Sequence, residues 1–198
     1  MIGIGIDTGG TCTDAVIFDL DGTTLSTLYD IQGSLNIVLK NHGYQEKEYD
    51  EVRLAIGRGS RNLVKDSLPE NTSDEIIDEL LDEYIKTYGV HYDVDTKPYD
   101  GIQELLDELQ SRGIILAVNS NKPDEYTKNL MKAHYPGNKF IAVIGARPNI
   151  PYKPDPYSAN EIVNLMGFDK SEILYVGDSD SDVKTAKNAG LKRVGCLW

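Results

Sequence analysis

Five short apolar runs constrain the fold of this chain more than any other feature. They read AVIFDLD (15–21), IILAVNS (114–120), FIAVIGA (140–146), ILYVGD (173–178) and RVGCLW (193–198). The first is apolar and β-branched until it meets acid. Such a continuous run is what a strand covered on both faces requires, and the polar residue marks its carboxyl end. Between the runs the apolar spacing changes to a helical one. In GIQELLDELQSRG, Ile102, Leu105, Leu106 and Leu109 share a face, and Gly113 is placed to end the helix. Pro123 suits the first turn of a further helix, and Gly190 closes the one after Asp182. Strands alternating with helices predict an α/β fold: a doubly wound, Rossmann-like parallel sheet with right-handed crossovers.

Residues 27–98 break this rhythm. They hold no clear strand and read as several helices, so they are expected to form an inserted helical cap, with the α/β core in 15–26 and 99–198. Thr72 and Glu75 have the spacing of a capping box. The helix they would open has Ile76, Ile77, Leu80, Leu81, Tyr84 and Tyr88 as its inner face. Asp74, Glu75, Asp78, Glu79, Asp82 and Glu83 then form a solvated face, the usual meaning of a charge run.

The chain has 198 residues, 40% hydrophobic and 26% charged, and a formal net charge of −12. That length suits one α/β core with a modest insertion. The acidity argues against nucleic-acid and membrane-surface partners, because phosphate backbones and anionic lipid would repel it. It also means that an anionic substrate needs a local cation or metal. No apolar run approaches membrane-spanning length, and Met1–Asp7 lacks a basic signal-peptide region. Cys12 and Cys196 have no metal-ligand spacing and read as free thiols of a reducing cytoplasm. Oligomeric state, monomer or dimer, is left open by the pattern.

In an open parallel sheet, ligands bind beyond the carboxyl ends of the strands. There the first run offers Asp19 and Asp21. The second ends in Ser120, with Asn121 and Lys122 following, Lys153 lies in the loop before the helix containing Ile162, and the fourth ends in Asp178, followed by Asp180 and Asp182. This set suits phosphoryl transfer to a carboxylate. Aspartate forms phosphorylated intermediates despite being a weak nucleophile. Carboxylate and phosphate repel each other, and Mg2+ held by oxygen ligands removes that barrier. The Ser120 hydroxyl and Lys153 can bind phosphoryl oxygens. A second carboxylate near the first can protonate the leaving oxygen and later activate water. Taken singly, each group also has a plain structural use: an Asp-Gly turn for 19–22, a cap for Ser120, a surface lysine for Lys153, and a helix cap around Ser181. Asp180 reads as peripheral or solvent-facing.

DLDGT (19–23), AVNS (117–120), Lys153 in PYKPDP and VGDSDSD (176–182) resemble, in order, the four motifs of the haloacid-dehalogenase superfamily. The resemblance runs from about Ala15 to Trp198. With an insertion between the first two motifs, and IGRGSRNLVKDSLPE (56–70) inside it, it is nearest to phosphoglycolate-phosphatase-like enzymes. It implies Asp19 as nucleophile and Asp21 as general acid/base. It implies magnesium held by the Asp19 carboxylate, the Asp21 backbone carbonyl and Asp178, with Asp182 in support. Ser120, Asn121 and Lys153 would be the phosphate-binding group, and the substrate a small phosphorylated metabolite. Arg58, Arg61 and Lys65 are the cap residues that could touch it. Ser26 departs from the aspartate often found at that position in the family.

A sugar phosphomutase of the same fold is the alternative. It would return the phosphoryl group to sugar instead of water, and Arg61 in the cap motivates it. A dehalogenase is disfavoured, since displacement of halide by carboxylate does not need Asp21. The start, IGIDTGGT, resembles the first phosphate-binding segment of the hydantoinase/oxoprolinase and sugar-kinase group, which motivates a third class, a nucleotide-binding module. No second nucleotide segment accompanies it. Residues 1–14 are therefore expected to be an accessory N-terminal extension, a strand and linker able to cover the sheet edge beside 193–198. Relative to ordinary members of the haloacid-dehalogenase superfamily the chain looks extended at the front and short at the back.

Overall fold

The computed structural model describes residues 13–197. The expectations for Cys12, for the IDTGGT segment and for most of the 1–14 extension lie outside the described residues. In chain order the elements are β1 (Ala15–Phe18), β2 (Leu25–Ser26), α1 (Leu28–Asn41), α2 (Tyr49–Ala55), α3 (Ser60–Asp66), α4 (Asp74–His91), β3 (Lys97–Pro98), α5 (Ile102–Ser111), β4 (Ile115–Pro123), α6 (Asp124–His134), β5 (Phe140–Ala146), α7 (Tyr157–Met166), β6 (Ile173–Gly177), α8 (Asp180–Ala189) and β7 (Lys192–Gly195). The contacts divide the chain into two compact units: residues 26–97, and the core that runs to Leu25 and resumes at Pro98.

The core is a five-stranded sheet of order β5-β4-β1-β6-β7, with β2 and β3 forming a separate small sheet. The pairings are parallel throughout the large sheet. β1 is central, and all four of its residues are buried, which is why the sequence there carries no polar alternation. On one face Ala15, Ile17, Ala117, Ile144 and Tyr175 meet Ala159, Ile162 and Met166 of α7 and Ala186 and Ala189 of α8. The sheet is thus fixed by its most apolar strand, and each crossover returns a helix to cover it.

Several boundaries differ from the sequence reading. β1 stops at Phe18, so Asp19–Asp21 belong to the turn after it and not to the strand. There Leu20 O accepts from the Thr23, Thr24 and Leu25 amides. β4 continues past Ser120 to Pro123, pairing at its end with Ala146 of β5. Pro123 is the residue before α6 and not in its first turn. α8 begins at Asp180 behind Ser179, whose hydroxyl accepts from Asp182 N, so Asp182 lies inside the helix and Ser181 is not its cap. Gly190 does close it, in the left-handed conformation.

In the second unit α4 starts at Asp74 behind Ser73, one residue later than the Thr72 pattern suggested; the Thr72 hydroxyl instead donates to Pro69 O. Its buried stripe is Ile77, Leu80, Tyr84 and Tyr88. Ile76 is exposed and Leu81 half-buried, because a 3.6-residue period over eighteen residues admits only a narrow face. The acidic face is not wholly idle: Asp74 and Asp78 pair with Arg61, and Glu83 with His42. The buried Asp30 of α1 accepts from the amides of Val94, Asp95 and Thr96 and from the Thr96 hydroxyl, tying the end of this unit to its first helix.

Candidate active site

Strand register assembles the site. Phe18 is level with Val118 of β4 and Val176 of β6, so Asp19 leaves the sheet between Asn119 and Gly177, its amide bonded to Val176 O at 2.8 Å. Asp178 is the next residue along β6. Asp182 is carried in by the first turn of α8, where Ser179 N donates to its Oδ2 at 3.1 Å. Ligand oxygens of Asp19, Asp178 and Asp182 all lie within 4.8 Å of one another. Two glycines allow this convergence. A Cβ on Gly22, whose φ is +78°, would meet Asp178 Oδ2 at 2.3 Å, and one on Gly177 would meet the Asp182 side chain at 2.4 Å. The Thr23 hydroxyl donates to Asp178 Oδ1 at 2.9 Å, a contact the sequence reading missed although Thr23 belongs to the DLDGT motif.

Lys153 is the buried cation of this cluster. Its Nζ is 2.8 Å from Asp19 Oδ1 and 2.6 Å from Asp182 Oδ1, and donates to Asn119 O at 3.2 Å. Burial disfavours its charge, yet the Asp182 and Asp19 carboxylates hold its ionisation well above the usual lysine range. Burial, then the charge of Asp182, also drives Asp19 upward, well above the ordinary carboxylate range, with Lys153 opposing. Asp178 is exposed as a residue, but partial burial of its carboxyl, only partly offset by the Thr23 hydrogen bond, pushes it up to about 6. When all three carboxylates are ionised, the single Lys153 ammonium leaves the cluster with excess negative charge, the state that the raised ionisation of Asp19 and Asp178 resists. The donors are all oxygen, and the Asp19 Oδ1 atom, buried beside Lys153, has no aligned hydrogen-bond donor. This is the donor set and the charge deficit that a hard divalent cation fits.

The other predicted residues are placed as follows. Asp21 follows in the β1 turn and pairs with the Lys122 ammonium at 2.9 Å, the lysine side chain being 3% exposed. Ser120 and Asn121 are buried in β4. Ser120 Oγ accepts from Lys122 N at 3.1 Å. The Asn121 side chain clasps the Lys153 backbone, donating to Lys153 O at 3.0 Å and accepting from Lys153 N at 2.8 Å. Its amide thus holds the loop that delivers the lysine. Asp180 is exposed and pairs with Lys184. In the helical unit, Arg58 pairs with Asp66 at 2.7 Å, Arg61 with Asp74 and Asp78 at 2.7 and 2.9 Å, and Lys65 lies on α3 near Asp74.

Fold and site together define a doubly wound α/β protein with a carboxylate-rich centre at the carboxyl ends of its strands. The chain belongs to the haloacid dehalogenase-like hydrolase family, whose pattern matches residues 16–196. It is similar to the phosphoglycolate phosphatase of Aquifex aeolicus, 33% identical over 183 residues, which are 92% of this chain and 84% of that protein. It is 30% identical over 194 residues to the phosphoglycolate phosphatase of Pseudomonas putida, covering 96% of this chain and 71% of that one. A crystal structure from Lactobacillus delbrueckii subsp. bulgaricus shares its fold with a TM-score of 0.86 and 28% identity, over 93% of this chain and 86% of that one.

Proposed function

We propose that this protein is a magnesium-dependent phosphatase that hydrolyses a small, phosphoglycolate-like phosphomonoester through a phosphorylated Asp19. The observation that carries the reading is the convergence of Asp19, Asp178 and Asp182 around the Lys153 ammonium. Two similar proteins are phosphoglycolate phosphatases, which supports the substrate class.

An Asp19 carboxylate oxygen attacks phosphorus while the bond from phosphorus to the ester oxygen breaks, and Asp21 gives its proton to the departing alkoxide. Water then attacks the same phosphorus, Asp21 takes the proton back, and cleavage of the phosphorus–Asp19 oxygen bond releases orthophosphate. Lys153 supplies fixed positive charge beside the attacking oxygen. Asn121 keeps the lysine there through its two backbone hydrogen bonds, and the Ser120 hydroxyl is the neighbouring donor for a phosphoryl oxygen. The Asp19, Asp178 and Asp182 carboxylates with the Asp21 backbone carbonyl would hold Mg2+, which when bound offsets the repulsion between carboxylate and phosphate. Arg58, Arg61 and Lys65 remain the cap groups for selecting the leaving group; Arg58 and Arg61 would first have to release their carboxylate partners. Among the described residues no helix is long and apolar enough to cross a membrane, and Cys196 is a free thiol. Both suit a reducing cytoplasm as the place of work.

The test is a phosphate-release screen over small phosphoesters with and without magnesium, run beside an isomerisation assay on sugar phosphates. Magnesium-dependent orthophosphate release from 2-phosphoglycolate is expected. Isomerisation without release would mean a phosphomutase.

A further inference from the structure

We propose that Lys122 is a positioning residue for Asp21: its ammonium fixes the carboxylate at the angle from which Asp21 protonates the leaving oxygen. The proposal rests on the acid/base reading of Asp21. The ion pair spans two strand ends, β4 to the turn after β1, at 2.9 Å, with side chains 3% and 17% exposed.

Burying an ammonium is costly, and an apolar side chain of similar volume would usually serve stability as well or better. A lysine retained there is explained by what it holds. The backbone under it is also anchored from several sides. Lys122 N donates to Ser120 Oγ at 3.1 Å, and Lys122 O accepts from Thr127 Oγ1 of α6 at 3.1 Å. Gly145 of β5 lets that strand come close, since a Cβ there would lie 2.6 Å from Lys122 O. The base of the side chain is therefore fixed by β4, α6 and β5 together. Asp21, by contrast, lies beyond the last β1 residue in a turn with Gly22 next to it, where a single bridge to Leu25 replaces the continuous ladder of a strand. A carboxylate on such a turn needs an external partner to keep one orientation, and proton transfer is sensitive to misplacement on the order of 1 Å.

The experiment uses the full chain with magnesium and compares Lys122→Met, Lys122→Gln, Asp21→Asn and the Lys122→Met/Asp21→Asn double variant. Substrates are p-nitrophenyl phosphate, whose leaving group needs little protonation, and 2-phosphoglycolate, whose leaving group needs much. Lys122→Met is expected to lower kcat on 2-phosphoglycolate about ten- to a hundredfold, and at least about fivefold more than on the aryl ester, with KM little changed. In the Asp21→Asn background the same change adds almost nothing, because coupled residues are not additive. Lys122→Gln, which still offers a donor, recovers part of the loss, and it carries the test if Lys122→Met does not fold. Equal slowing of both esters by the lysine variants, or full additivity with Asp21→Asn, overturns the inference while leaving-group selectivity in Asp21→Asn leaves the acid reading standing. Asp21→Asn slowing both esters alike overturns both. A raised inhibition constant for orthophosphate with unchanged leaving-group dependence would make Lys122 a phosphate ligand instead and also overturns the inference.

Discussion

At the scale of single residues, the site is governed by a surplus of negative charge in a poorly solvated place. Asp19 gains its position from the end of the most buried strand, and burial is the largest influence on its ionisation. Replacing it by Asn keeps its shape but removes the proposed nucleophile and the charge that faces Lys153. Asp19→Asn is therefore expected to lower kcat by several orders of magnitude with an unchanged circular-dichroism spectrum, read by single-turnover phosphate release. Asp178 gives a pH prediction. Its folded-state value is pushed from 3.8 to about 6, so the folded protein holds that proton more tightly than the unfolded chain. The resulting stability is present at low pH and lost as pH rises through about 6. Without metal, the urea midpoint of the native protein should fall between about pH 4 and 6 more than that of Asp178→Asn, and a parallel pair of curves would count against it. Gly22 belongs here too: its positive φ and the 2.3 Å approach to Asp178 leave no room for a methyl group. Gly22→Ala should lower both stability and the response to magnesium.

At the scale of elements, helix ends decide where the acids point. α8 begins with a reciprocal cap between Ser179 and Asp182, so the residue that stabilises the helix start also orients a proposed ligand. Ser179→Ala should cost about 1 kcal/mol of stability, the usual worth of an N-cap, and lower apparent magnesium affinity as well. Unchanged metal affinity would separate the two roles. The starts of α4 and α8 were the elements least legible in the sequence. DSDSD and NTSDE each offer several adjacent capping side chains, and sequence pattern cannot choose among them; backbone direction at the preceding strand or loop does. Strand identity was far more legible. The runs at 115–118 and 173–177 are mostly buried, and the edge strand at 140–146 keeps an apolar run although Ile141 is exposed.

The whole molecule comprises two units. In the helical one the Asp30 carboxylate collects the Val94, Asp95 and Thr96 amides, and removing it leaves the buried Thr96 amide and hydroxyl without their acceptor. Asp30→Ala should destabilise that unit by about 2–4 kcal/mol, seen as faster hydrogen exchange across α1 and residues 94–96, before the core's exchange changes. In the core, magnesium that binds only the folded state should raise the melting temperature with concentration, and excess chelator should abolish phosphate release. Calcium, which prefers longer bonds and more ligands, should bind and support poor turnover. Full activity in chelator would remove the metal from the mechanism.

The sequence by itself determined the architecture of the core and narrowed the reactive groups to a short list of candidates. Apolar runs alternating with helical patterns point to strands of a covered sheet, and acids at their carboxyl ends lie toward the crevice where such sheets bind ligands. It did not determine who holds whom. That Asn121 spends its side-chain amide on the Lys153 backbone, that Lys122 meets Asp21, and that Arg58 and Arg61 lie paired with Asp66, Asp74 and Asp78 are contacts between residues 8 to 101 positions apart. Composition and periodicity carry no information on such pairs. They are set by strand register, by the glycines that let neighbouring backbones approach, and by the burial that makes every charge seek a partner.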